Sequence, residues 1–281
     1  MFRVVCRRAS FLLLFLSISV SHAHAQERAY FTTYDHYLEE AGNLELAVVT
    51  TTGVPRDDHS VYTAPWLELE YGVTGWWTAE FYLEGVTTRH DGSGFTGWRF
   101  ENRFRPLKGE HAVNPVLYVE YERINEASRI QKEIVGEGPL PFEPIAELRR
   151  HTANELEAKL ILSSAIRGWN VSENITFERN LSEAEGIEFG YSVGVARSLA
   201  SLASGAACRF CRERFVLGAE AYGGLGSSVA GLAETRHYVA PVLGWHIGER
   251  TMLKASPAFG LTEASDRYLI RVGIAYEFSA R

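Results

Sequence analysis

About a dozen stretches of this chain alternate apolar side chains one-for-one with charged or small ones. Leu67, Leu69 and Tyr71 alternate with Glu68 and Glu70, and Ala79, Phe81 and Leu83 with Glu80, Tyr82 and Glu84. Trp98, Phe100 and Phe104 alternate with Arg99, Glu101, Arg103 and Arg105, and Leu117, Val119 and Tyr121 with Tyr118, Glu120 and Glu122. Leu156, Ala158 and Leu160 alternate with Glu155, Glu157 and Lys159, and Ile270, Val272, Ile274, Tyr276 and Phe278 with Arg271, Gly273, Ala275 and Glu277. A period of two belongs to a strand whose two faces meet different surroundings. So many such strands in succession must share one sheet, because a lone hairpin cannot bury a face.

The spacing predicts strands over Asn43–Thr51, Ala64–Thr74, Trp77–Arg89, Gly94–Arg105, Ala112–Arg123, Ala153–Ser164, Gly168–Asn180, Gly186–Arg197, Arg214–Leu225, His237–Ile247, Arg250–Leu261 and Arg267–Phe278. Most run about nine to thirteen residues, long enough to cross a hydrocarbon layer at a tilt. The expected fold is all-β: a closed antiparallel transmembrane β-barrel of about twelve strands, an even number as in bacterial single-chain barrels. Alternation alone does not say which face is inside. Charge recurs on one face of nearly every strand, which would crowd an exterior but can pair within a lumen. Trp66, Trp76, Trp77, Trp98, Trp169, Trp245 and Tyr268 gather near strand ends, as interfacial girdles do. Apolar-out is therefore the expected orientation.

The N-terminus reads as an export signal. Arg3, Arg7 and Arg8 precede an apolar run from Phe11 to Val20, followed by Ala23-His24-Ala25. Cleavage after Ala25 is expected, so residues 1–25 form a signal peptide, 26–42 a periplasmic lead-in and 43–278 the barrel. The lead-in could instead tuck into the barrel. The net charge of −7 becomes about −10 once the three leader arginines are gone. That balance excludes nucleic acid as a partner.

The last strand has a second reading. Arg271-x-Gly273-x-x-Tyr276-x-Phe278 resembles the assembly signal of bacterial outer-membrane β-barrel proteins, although Ser279-Ala280-Arg281 follow where that family usually stops. Glu70-Tyr71-Gly72-Val73-Thr74-Gly75-Trp76-Trp77 is similar to a strand–turn–strand repeat of outer-membrane transporters. The resemblance implies the outer membrane as address, outer-membrane lipid and the barrel-assembly machinery as partners, and porin-like transport. It carries over no catalytic residue.

With both termini in the periplasm, the long connections Thr52–Thr63, Ile124–Thr152 and Gly226–Arg236 face outward, while Gly75-Trp76, Ala165–Arg167 and Gly248-Glu249 make tight periplasmic turns. Ser198–Glu213 breaks that pattern: it is long, periplasmic and holds Cys208 and Cys211. Either this turn is special or the strand count is off by one there. In an exported chain the Cys pair reads as a small disulfide loop. The insertion at 124–152 is either a mobile surface loop or a cap over the mouth.

The inward face supplies the candidate site: Glu68, Glu70, Glu80, Glu84, Arg99, Glu101, Arg103, Arg105, Glu120, Glu122, Glu155, Glu157, Lys159 and Arg271. Neighbouring strands lie about 4.8 Å apart, so the arginines can reach carboxylates on either side. Two readings stay open. The charges fill the lumen as a salt-bridge network, or they line a constriction whose acidic excess favours cations. Gly190, Ser192, Gly194, Ala196, Gly218, Gly273 and Ala275 make the opposite wall light, leaving room for a pore or for the N-terminal segment. No cofactor or metal is expected. No Gly-x-Ser-x-Gly and no His-x-Ser-Asn-Gly occurs, so an enzyme is not expected, and an outer-membrane hydrolase ranks third. First comes a passive channel for small polar or cationic solutes. Second comes a plugged barrel with a structural or interaction role.

Overall fold

A computed structural model describes residues 29–56, 59–130, 144–183, 186–202, 211–228 and 235–279. The expected signal peptide and the Gly/Pro-rich centre of the long insertion lie outside the described residues. Twelve strands run in order: β1 (Leu44–Val54), β2 (Tyr62–Thr74), β3 (Trp77–Thr88), β4 (Gly92–Phe104), β5 (Asn114–Asn125), β6 (Thr152–Ile166), β7 (Trp169–Asn180), β8 (Glu188–Ser198), β9 (Phe215–Ser227), β10 (His237–His246), β11 (Thr251–Gly260) and β12 (Tyr268–Phe278). Each pairs antiparallel with its sequence neighbours, and β12 pairs with β1 from Leu44↔Phe278 to Val54↔Tyr268, closing the barrel. The expected strands are all present, with ends shifted by a few residues. The count of twelve stands, so the long connection between β8 and β9 is real. It holds short 3-10 turns at Leu199–Leu202 and Arg212–Arg214.

The sheet's two faces resolve the orientation. Leu117 and Ile274 are 50% and 45% exposed, whereas Glu80 and Glu120 are 1% and 0% exposed. Greasy side chains thus point outward and carboxylates inward. Only lipid makes that arrangement favourable, and closure leaves no sheet edge unpaired within it. Among the described residues no helix is long and apolar enough to cross a membrane; the strands do the crossing. Near the rim that carries the chain ends, Trp77 stacks on Phe104 and Phe215 on Trp245 at centroid distances of 6.0 and 6.2 Å, with Trp76 and Trp169 exposed beside them. Trp66 departs from the expected girdle. Its parity on β2 matches Ala64 and Glu68, so it turns into the lumen and packs beside Ala47, Val49 and Ala275.

Turn chemistry sets the hairpins. Between β6 and β7, Arg167 and Gly168 have φ of 51° and 81°, the paired left-handed residues of a two-residue hairpin whose twist matches its strands. One seam is weak. The register Val239↔Phe259 and Leu243↔Ala255 brings Pro241 opposite Pro257, and pairing lapses between those points. Ladder bonds at the two ends of this hairpin, Leu261 N–H to His237 O at 2.8 Å and Ile247 N–H to Thr251 O at 2.9 Å, show by alternation that Pro241 and Pro257 occupy a hydrogen-bonded position. Neither has an N–H, so both ladder bonds are missing there. Ser256 Oγ, from inside, donates to Pro241 O at 2.8 Å instead. Replacing both prolines by valine restores two donors. The doubly substituted barrel should gain about 1–2 kcal/mol, read as a higher urea midpoint in lipid vesicles.

Candidate functional site: a charged and occupied lumen

Strands β2 to β6 carry the heavy wall. Arg99 on β4 bonds Glu84 through Nε and Glu120 through Nη1, the latter at 3.0 Å, and its guanidinium lies 4.1 Å above the Tyr82 ring. Arg103, two inward positions along with Glu101 between, bonds Glu70 on β2 and Glu80 on β3 through Nη2 and lies 3.0 Å from Glu101 through Nε. Tyr82 donates to Glu80 and, at 2.8 Å, to Glu101. Lys159 on β6 pairs with Glu157 at 2.6 Å. The alternation of β4 places both arginines on the inner face, and the antiparallel register sets carboxylates on each side. Glu68, Glu70, Glu80, Glu84, Glu101, Glu120, Glu122, Glu155, Glu157, Lys159 and Arg271 are all buried within the lumen with Arg99 and Arg103. Arg105 lies just past the end of β4, half-buried at the rim. Glu45, absent from the expected set, also points inward and forms a carboxylate triad with Glu68 and Glu70. Its parity with the inward Ala47 and Val49 on β1 is the signal that finds it.

Opposite this wall the lumen is filled by the chain itself. Residues 29–42, expected as a periplasmic lead-in, take the alternative placement inside the barrel: the first part lies along β7, β8, β9, β11 and β12, and Tyr34 to Leu38 pack against β5 and β6. Backbone N–H groups of Phe31, Thr32 and Thr33 converge on the Glu220 carboxylate at 3.3, 3.0 and 2.9 Å. Asn174 mimics a strand partner: Tyr34 N–H donates to its Oδ1 at 2.7 Å, and its Nδ2 donates to Tyr34 O at 2.9 Å. Tyr30 donates to Asn170 Oδ1 at 2.8 Å, and Tyr34 donates to Glu101 at 2.9 Å across the lumen. Arg271 donates to Thr32 Oγ1 at 2.8 Å and lies 3.8 Å from Glu220. The small residues make this possible. A Cβ on Gly194 would sit 2.6 Å from the Tyr30 ring. Burial, with the Asp35 and Glu220 charges, pushes the Tyr30 phenol well up from its ordinary value.

His36 links Ser163 Oγ at 2.7 Å through Nδ1 and Glu110 at 3.0 Å through Nε2. That connectivity resembles an acid–base–hydroxyl relay. Ser163, however, is buried and takes further bonds from Ser172 at 2.8 Å and Asn170 at 3.2 Å. Its hydroxyl is saturated and shielded, so the set anchors the segment.

The far mouth is covered by the ends of the 124–152 insertion. Ala127, Ile130 and the short helix α1 (Ile145–Leu148) pack with Tyr62, Ala64, Val86, Tyr222, Tyr238 and Leu269 in one apolar cluster. Ser128 Oγ donates to Glu84 at 2.9 Å, tying this cap to the charged wall. A cavity of about 40 Å³ remains between cap, segment and wall, bordered by Glu68, Arg99, Lys254 and Arg271. At the other end, Cys211 is disulfide-bonded; its expected partner Cys208 lies outside the described residues.

No family model matches the sequence, and no curated protein matches it either. Solved structures do. The outer-membrane channel COG4313 of Pseudomonas putida F1 aligns with a TM-score of 0.59 at 9% identity, over 89% of this chain and 100% of that one. The KdgM porin aligns at 0.50 and 7% identity over 83% and 99%, and the NanC porin at 0.50 and 11% identity over 83% and 98%. The chain thus has the fold of outer-membrane β-barrels.

Two outcomes follow from this site. Removing Arg103 as Ala strands Glu70, Glu80 and Glu101 in a buried setting. It should cost about 3–5 kcal/mol, seen as a lower urea midpoint. At the rim, burial and the facing Glu277 carboxylate raise the Glu39 carboxyl to about 7. A raised acid favours the docked segment while protonated: its contribution is full below the unfolded value and lost as pH rises through about 7. A thiol placed at Leu38 should label faster as pH climbs from about 5 to about 8, and Glu39→Gln should flatten that rise.

Proposed function

We propose that this protein is a passive outer-membrane channel for small polar or cationic solutes, closed in the present conformation by residues 29–42 and by the cap. The observation that carries the reading is the light wall. A barrel meant to be permanently filled can fill itself with large side chains. Here Gly194 yields that volume to Tyr30 of a separate segment, which is held by hydrogen bonds and can leave without breaking the sheet. The acidic excess of the opposite wall would then favour cations. The channel and porin neighbours agree with this reading at the level of fold. Among the described residues, the cavity of about 40 Å³ between cap, segment and wall holds little more than water, so passage through that space requires the segment or the cap to move. The outer membrane is the compartment in which such a barrel, with its apolar exterior, is at home.

Planar-bilayer recordings test this. The mature chain should give small or infrequent cation-selective steps. A chain lacking residues 29–42 should give larger, longer ones. In that open form, alanine at Glu120 should weaken cation preference. Silence from both chains would sink the channel and leave the plugged, structural barrel.

A further inference from the structure

One carboxylate of the heavy wall is left over. Glu120 and Glu122 on β5 and Glu157 on β6 each bring a carboxylate oxygen to one point, all within 4.8 Å of one another. Glu120 is paired with Arg99, and Glu157 with Lys159. Glu122 differs. It stands directly across from Arg99 in the β4–β5 register, but that guanidinium is committed to Glu84 and Glu120. Among the described residues, Glu122 Oε1 has no hydrogen-bond partner although the residue is only 1% exposed. The Tyr118 hydroxyl, on the same face, is likewise buried and unpaired. An ionised carboxylate buried without a partner is costly, and here it is aimed at two further carboxylates. The three acids exceed the two cations that pair with them, and Glu155 and Glu178 extend the acidic surface on β6 and β7. A cation is the missing counter-charge.

We propose that Glu120, Glu122 and Glu157 form a binding site for a hard divalent cation, with Glu122 as the ligand that has no other duty. The donors are all oxygens, which suits calcium or magnesium. Three carboxylates favour calcium, which takes several of them in a flexible geometry, whereas Mg²⁺ demands a near-ideal octahedron, keeps most of its waters and is usually held by one or two carboxylates. The second triad, Glu45, Glu68 and Glu70, does not compete for this role, since its members already have partners. Such an ion would cross-link β5 to β6 in the heavy wall. The site does not depend on conduction. A barrel that binds calcium but passes no current would remove the channel and keep the site, and a conducting barrel without calcium would do the reverse.

Equilibrium dialysis of the refolded mature barrel against radioactive calcium, after chelator treatment, decides the matter. The expected result is one ion per barrel, with magnesium a poor competitor. Glu122→Gln, which keeps shape and removes charge where no protein donor is lost, should weaken binding by about tenfold or more. Glu147→Gln, on the exposed cap helix, should leave it unchanged. Absence of saturable binding to the wild-type barrel overturns the proposal, whatever the variants do, and so does undiminished binding by a folded Glu122→Gln barrel. A preference for magnesium overturns the choice of ion.

Discussion

The pairing of β12 with β1 is the contact on which everything else rests. An open twelve-stranded sheet in hydrocarbon would expose two edges of unsatisfied amide groups, each costing several kcal/mol. The ladder from Leu44↔Phe278 to Val54↔Tyr268 removes both. Once it forms, strand parity divides the chain into a lipid face and an enclosed face, and the enclosed face must be satisfied without bulk water. The charges of β2 to β6 follow from that requirement. Two arginines on one strand, flanked by carboxylates on the strands beside it, convert a crowded acidic interior into a bonded wall. Tyr82 and Tyr34 both donate to Glu101 Oε2, the oxygen that Arg103 leaves.

The same enclosure explains why the N-terminal segment is fixed by side chains and not by the sheet. Every sheet edge is already used, so a further strand has no ladder to join. Asn174 and Glu220 stand in for one, offering amide-like and carboxylate acceptors to consecutive backbone N–H groups. Polar atoms on the inner face of β7 and β9 thus serve the segment as backbone would.

Most of the fold was legible because period-two alternation and turn spacing are local. Strand number, parity, the lipid-facing band and the inward charges all follow from residues two apart. The long turn before β9 raised a doubt about the count, since turn length is a poor guide where a connection carries its own disulfide-bonded Cys211. The inward direction of Trp66 is readable from its parity with Glu68 and Glu70, but its place near a strand end suggested the girdle instead. What local pattern could not supply was pairing at a distance. The docking of residues 29–42 needed the knowledge that Gly194 stands where Tyr30 arrives, a contact between residues far apart in the chain. The composition of the light wall did hint at a guest. In the sequence Glu122 is one acid among many, because its isolation depends on which partners Arg99 takes, and several acids lie within that guanidinium's reach.

The unequal walls carry a further consequence for how closure and stability relate. The arginine–glutamate wall is part of the sheet and braces four strands, β2 to β5, so its loss would act on the barrel as a whole. The segment 29–42 is joined to β1 through Asn43, whose Nδ2 donates to Glu277 at 2.6 Å; Gly42 N–H donates to Gly72 O at 2.7 Å at the rim, and the rest is held mainly by inward side chains. A tether this short keeps the segment at high effective concentration near its site, so docking can be strong in occupancy while modest in free energy. Undocking would cost the segment's own bonds and would leave the ladders untouched. Closure is therefore separable from folding: the wall that makes the barrel durable is not the element that fills its lumen.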